Sequence, residues 1–436
     1  MSSNLRSFNY IRQLKISTIF KIGAMLFSFL AIPLMIKYLG DEKFGVWATM
    51  LTLMSWVVFF DLGIGNGLKN KITKNLSKEN YQNVKEYIST SYALIGFISV
   101  ILFLSFMLIS FFIPWQIVFN SDIVSENNLR LAILSLSFFI FLNFWLSLVN
   151  QIYHGLQNSS KVVLGQFIAN FLALFLVFLL LKFTNSSLQL VVLSYGISTV
   201  LSNVILTVLI FTKNPQYIPN LSLFNKKKVN SLLSFGLKFF VIQLAVLVIF
   251  MTDKIIITQL LGPNQVTPFE VLFRLFSIIT ISHSLILVPL WPAYTDAYTK
   301  GDFEWIKQNM IKQIKLGFIL FFIASILAIA GPKITYFWIG SEFKASQSLY
   351  YLFAIFIIFS VWSNIFAYFV NAINKLSVQF YSAIFAAVIN IPLSIFFVKY
   401  FDYGLEGIIL ATIISLTLFA FLGPIQVFMI ISRRMS

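Results

Sequence analysis

ISTIFKIGAMLFSFLAIPLMIKYLG, Ile16–Gly40, is an apolar run closed by Leu39-Gly40. About 20 such residues cross a bilayer as one helix. At 238–262 the chain reads KFFVIQLAVLVIFMTDKIIITQLLG and closes the same way, on Leu261-Gly262, at an offset of 222. That offset also sets Lys78 on Lys300, Tyr81 on Phe303, Val84 on Ile306 and Lys85 on Lys307. Both halves run helix, Leu-Gly turn, helix, basic amphipathic loop, helix. Two membrane lobes of one design suit alternating access around a site between them.

Twelve spans fit the hydropathy: 16–38, 44–66, 89–113, 129–153, 162–183, 188–212, 232–260, 267–292, 312–338, 349–372, 376–400 and 404–431. The fold class is therefore all-α integral membrane, with twelve transmembrane helices in two six-helix lobes related by the repeat. The lobes are residues 1–212 and 231–436, joined by a basic linker, 213–230.

Composition narrows the function. The 436 residues are 59% hydrophobic and 11% charged, against about 25% charged in soluble domains. Cysteine is absent and there are only 2 histidines, His154 and His283. This excludes a disulfide framework, a thiolate metal site and a histidine-rich centre. No Gly-rich phosphate loop, nucleophile elbow or paired carboxylate stands out, so an enzyme with catalytic residues is not expected, and no ATPase or cofactor. An ion gradient, of protons or sodium, or the substrate gradient is then expected to supply the drive. The first span follows a polar head, Met1 to Lys15, without a cleavage pattern, and reads as retained.

The basic residues behind the net charge of +16 are concentrated in one set of loops, which argues against nucleic acid. With the N-terminus inside, the inner loops hold 20 Lys and Arg and the outer side 6. The positive-inside rule then puts both termini in the cytoplasm. The linker, with Asn214-Pro215, Pro219-Asn220 and Lys226-Lys227-Lys228, is expected on the anionic inner surface. The longest outer loop, 114–128, is too short to bury a core of its own.

Charges inside a membrane are expensive and mark candidate sites. Lys21 in span 1 and Asp61 in span 2 each lie roughly 8 Å from the inner end, and could pair. Otherwise Lys21 snorkels and Asp61 belongs to a polar helix-end turn. A second cluster, Asp253, Lys254, Glu270 and Arg274, lies roughly 5–10 Å from the outer end of spans 7 and 8. Glu270 and Arg274 share a face four residues apart. The cluster either lines a cavity for an anionic ligand or neutralises itself at a lobe seam. Lys238 could snorkel, and His283 reads as a hydrogen-bonded buried histidine. Asn143, Asn150, Gln151, Asn170, Asn203, Gln243, Asn364, Asn371 and Asn390 either line a sugar cavity or make interhelical hydrogen bonds.

Tyr38-Leu39-Gly40 followed by Phe44-Gly45-Val46-Trp47, Asp61-Leu62-Gly63-Ile64-Gly65-Asn66-Gly67, and Thr252-Asp253-Lys254-Ile255-Ile256-Ile257 ahead of Leu261-Gly262 carry a family likeness. The chain resembles the O-antigen-type polysaccharide flippases of the multidrug/oligosaccharidyl-lipid/polysaccharide exporter superfamily over nearly its whole length. The resemblance implies translocation of an undecaprenyl-diphosphate-linked oligosaccharide from the inner to the outer leaflet of a bacterial inner membrane. It implies Lys21, Lys254 and Arg274 as cations for the diphosphate, and Asp61, Asp253 and Glu270 as pairing or coupling acids. Membrane lipids, a polysaccharide polymerase and a chain-length regulator would be its partners. The embedded charges sum to only +1, counting Lys21, Lys238, Lys254 and Arg274 against Asp61, Asp253 and Glu270, short of a strongly cationic cavity. Two other classes fit the sequence less well. One is a cation-coupled drug antiporter of the same superfamily, for which span 1 lacks an acid. The other is a membrane-embedded polysaccharide polymerase, for which the outer loops are short.

Overall fold

Inside a bilayer no water pairs with backbone N–H and C=O groups, so a chain segment satisfies them by coiling on itself. All the regular elements among the described residues are helical. The computed structural model describes residues 3–57, 64–76, 78–233 and 251–435. The helices are α1 (Ser3–Leu39), α2 (Asp41–Ser55), α3 (Ile64–Leu76), α4 (Tyr81–Ser110), α5 (Trp115–Phe119), α6 (Glu126–Leu146), α7 (Leu148–Gly155), α8 (Ser159–Phe183), α9 (Leu188–Lys213) and α10 (Lys226–Leu233). They continue with α11 (251–261), α12 (Val266–Lys300), α13 (Phe303–Ile339), α14 (Gln347–Ala372), α15 (Ser377–Phe401) and α16 (Gly404–Met435).

Ten of the described helical stretches are long and apolar enough to cross a membrane. The other two expected spans, 44–66 and 232–260, run through 58–63 and 234–250, which lie outside the described residues. Asp61, Lys238 and Gln243 lie there as well. Several helices outrun their apolar cores. α4 begins at Tyr81 and α12 reaches Lys300, because capping and an i,i+4 pair, Lys300 to Asp296 at 2.7 Å, continue the coil into polar sequence.

The chain divides into two compact units, Met1–Phe240 and Val241–Ser436. Each packs its helices in the same order. In the first, α3 meets α4, α4 meets α6, α6 meets α9, and α8 meets α9; in the second, α12 meets α13, α13 meets α14, α14 meets α16, and α15 meets α16. The 222-residue register is visible in backbone detail. Gly40 at φ 75° and Gly262 at φ 94° both turn the chain through the left-handed region that glycine tolerates best. Asn80 and Asp302 cap α4 and α13 alike, accepting the backbone N–H of Asn83 and of Trp305 at 3.0 Å each. Val84 and Ile306, and Ile88 and Met310, are fully buried in the corresponding cores. Further on the register shortens: α6 and α14 start at 126 and 347, α8 and α15 at 159 and 377, α9 and α16 at 188 and 404.

Bilayer helices associate through close packing and polar contacts, lipid being as apolar as leucine. Small residues supply the approach. Ser202 Oγ donates to the Gly165 carbonyl at 2.6 Å. Bulky residues such as Phe112, Phe337 and Tyr400 stay exposed, as lipid-facing residues do.

The linker is a built part of the first unit. Tyr217 is buried in the α3–α4–α7 core, and burial pushes its hydroxyl above the ordinary phenol value. The backbone N–H groups of Asn220 and Asn225 donate to Ser89 and Thr90 of α4 at 3.0 and 3.2 Å. Lys228 sits 2.6 Å from Glu86 Oε2 and 4.5 Å over the Tyr87 ring. Of the basic run, Lys226 and Lys227 are exposed, while Lys228 is spent on this contact. A Cβ on Gly67 would stand 2.6 Å from the Leu232 carbonyl oxygen, so α10 lies against α3 only because that position has no side chain.

Candidate functional site

Adjacent residues on a helix point about 100° apart, and Asp253 and Lys254 of α11 accordingly face different neighbours. Lys254 turns to α12, where its Nζ lies 2.6 Å from Glu270 Oε2. Arg274, one turn along α12, places Nη2 3.3 Å from Glu270 Oε1. Two cations thus share one carboxylate, which leaves a net positive charge. The Glu270 side chain is 8% exposed, Lys254 15% and Arg274 40%. A guanidinium has five N–H donors, and Arg274 Nε has no hydrogen-bond partner among the described residues. The triad therefore keeps donor capacity and charge for an anion.

Asp253 points the other way, into the packing of α15 and α16, and is 3% exposed. Thr412 Oγ1 donates to Asp253 Oδ2 at 3.1 Å and accepts from Asn390 Nδ2 at 3.1 Å. Oδ1 of Asp253, Oδ1 of Asn390 and Oγ of Ser394 are buried without hydrogen-bond partners among the described residues. None of the ion pairs among the described residues includes Asp253. Buried polar atoms are normally satisfied, so a carboxylate, an amide and a hydroxyl with unused oxygens at one seam suit a small cation or a proton.

Sequence reasoning did not find Thr412 or Ser394, and noted Asn390 only as one amide among several. One signal was available. Ser382, Ala386, Asn390, Ser394 and Val398 fall at every fourth residue of α15 and are all buried, a small, polar stripe on one face.

The other sequence candidates separate. Lys21 is half-buried on α1, without a hydrogen bond or ion pair among the described residues. Its suggested partner Asp61 lies outside them. Asn150 donates to Asn203 at 3.2 Å, and Asn203 to Asn143 at 2.7 Å. Asn170 donates to the Ala24 carbonyl at 2.9 Å. These amides make interhelical hydrogen bonds. His283 is buried at 1%, with the Gln313 side chain of α13 as its polar neighbour. The described residues contain no group of three His, Cys, Asp or Glu able to hold a metal ion.

The profile of polysaccharide biosynthesis proteins matches residues 12–297, about two thirds of the chain. The chain belongs to the polysaccharide biosynthesis protein family. A second profile, MatE, matches residues 239–396, which include the Glu270 triad. This polysaccharide biosynthesis protein is 24% identical over 403 residues to a Yersinia pseudotuberculosis protein named for O-antigen export, covering 91% of this chain and 90% of the relative. It is 23% identical to a Salmonella typhi protein named as an O-antigen transporter, covering 93% of each. Among solved structures it is similar to an inward-facing multidrug resistance transporter of the MATE family, at TM-score 0.79 and 15% identity over 97% of this chain and 98% of that one. The outward-facing form of such a transporter gives TM-score 0.65 at 16% identity, over 98% and 96%. At these identities the likeness shows the fold: two MATE-type lobes in a multi-pass membrane protein.

Proposed function

We propose that this protein flips an undecaprenyl-diphosphate-linked oligosaccharide from the inner to the outer leaflet of a bacterial inner membrane, by alternating access coupled to an ion gradient. The observation that carries this reading is full-length similarity to proteins named for O-antigen export. The Lys254–Glu270–Arg274 triad supports it, offering charge and a planar donor fork to phosphate oxygens. The Asp253–Thr412–Asn390 centre supports the coupling, because a carboxylate so placed needs a proton or a sodium ion as counter-charge.

The test is complementation. Expressed in a strain that lacks its own flippase and makes the matching repeat unit, the protein should restore surface polysaccharide. Without it, lipid-linked units should be reachable only from the cytoplasmic side. Units that reach the outer leaflet but stay unpolymerised in its absence would make it a polymerase instead. A second reading, a cation-coupled small-molecule antiporter, is favoured by the MatE match at 239–396. It predicts drug resistance on expression and no change in surface polysaccharide.

The basic loops support an orientation with both termini and the linker in the cytoplasm. The chain lacks cysteine, so each introduced thiol reports alone. Lys78→Cys and Lys300→Cys should react only with reagent admitted to the cytoplasm, and Ser125→Cys with reagent outside. Reaction of all three from one side would end the twelve-span reading.

A further inference from the structure

Within the second unit, α12, α14, α15 and α16 line a half-open cavity of about 330 Å³, at the lower end of ligand-pocket sizes. Half of its lining residues carry hydroxyls or amides and none is charged. The hydroxyls of Ser277, Ser360 and Ser415 donate to carbonyls of their own helices, those of Arg274, Phe356 and Ala411, at 2.8, 2.9 and 2.8 Å. Their oxygens face the cavity as acceptors. Gln379 Oε1 and Ser363 Oγ are buried without hydrogen-bond partners among the described residues. Asn364 and Gln379 add amide N–H donors to these acceptors, so the cavity offers both and calls for a ligand that carries both, as sugar hydroxyls do. No carboxylate lines it, so an ammonium or guanidinium would lack a counter-charge. A plain acyl chain would leave the acceptors unpaired. Phe273, Phe356 and Phe419 complete the walls and suit the C–H faces of a pyranose ring.

We infer that this cavity is a carbohydrate subsite, selective for an uncharged sugar of the transported unit. The inference rests on the flippase reading and deepens it. An acidic sugar finds no cation there, and its desolvated carboxylate would lack a counter-charge. The site also neighbours the buried seam: Ala386 lies one turn from Asn390 on α15, and Ser415 three residues from Thr412 on α16. The cavity therefore lies about one helical turn, roughly 5 Å, along α15 and α16 from the Asp253 centre.

The experiment uses the full chain in lipid nanodiscs with one thiol, Ser277→Cys or Ser360→Cys, on facing walls of the cavity. Exposed Ser348→Cys, outside it, is the control. The rate of maleimide reaction is measured with methyl galactoside, methyl rhamnoside and methyl N-acetylglucosaminide, with glucuronate, and with decanol as a sugar-free chain. At saturating concentration at least one neutral sugar should slow both cavity thiols by about threefold or more, by mass action. Glucuronate and decanol should not, and Ser348→Cys should be unaffected. Equal protection by decanol would make the cavity a lipid crevice, and protection by glucuronate would remove the charge selectivity. Wild-type complementation with no sugar protection at either thiol overturns the subsite and spares the flippase reading. Protection without complementation does the reverse.

Discussion

Arg274→Gln should leave the folded protein intact and lower transport roughly 10- to 150-fold, the loss expected for a charge-assisted bond of about 1.5–3 kcal/mol. The fold survives because Glu270 keeps its partner, Lys254, at 2.6 Å, so no buried charge is stranded. Transport falls because Arg274 is the most exposed cation of the triad, at 40%, and carries the fork that phosphate oxygens accept. Arg274→Lys should retain partial activity, keeping charge without the bidentate geometry. The measurement is surface polysaccharide in a complemented strain, normalised to folded protein in the membrane. Full activity of Arg274→Gln would reduce Arg274 to a counter-ion of Glu270.

The shared carboxylate also decides which controls are informative. Glu270→Gln strands two cations, and losing one side of a buried pair costs about 3–5 kcal/mol. It should therefore lower the amount of folded protein. Arg274→Gln combined with Glu270→Gln leaves Lys254 unpaired at 15% exposure, so its failure would not isolate a binding defect. Lys254→Gln leaves the Arg274–Glu270 contact at 3.3 Å and isolates the contribution of Lys254.

The repeat was legible because it is written in residues with narrow roles. Gly40 and Gly262 hold positive φ, Asn80 and Asp302 cap helices, and Val84, Ile88 and their counterparts fill cores. Past α4 the register drifts, because loop lengths are free to change where no such residue pins them. Glu270 and Arg274 were readable as an i,i+4 pair. Lys254 on Glu270 was not, since it depends on how α11 and α12 pack. Thr412 stands 159 residues from Asp253, and no local periodicity reports a contact at that separation. The linker's composition read as a surface loop. Its docking on Ser89, Thr90 and Glu86 follows from hydrogen bonds between distant segments.

Asp253→Asn should abolish ion-coupled transport while keeping the local shape. In the wild type, Oδ2 is held by Thr412 and Oδ1 is buried with no partner among the described residues. A carboxylate at 3% exposure, outside every ion pair among the described residues, needs a counter-charge. The amide takes the Thr412 hydrogen bond but cannot take up a proton in this range and brings no negative charge to hold a cation. In proteoliposomes, flipping by the wild type should speed up under an imposed sodium or proton gradient, whichever is the coupling ion. The Asp253→Asn protein should not respond. Thr412→Val keeps the shape but removes the hydroxyl between Asp253 and Asn390. Leaving such a group unsatisfied costs about 1–3 kcal/mol, so coupled flipping should fall roughly 5- to 150-fold. Thr412→Ser should restore it. A structural role alone would make all three variants scale with the amount of folded protein. An unchanged gradient response in Asp253→Asn would take the coupling away from this centre.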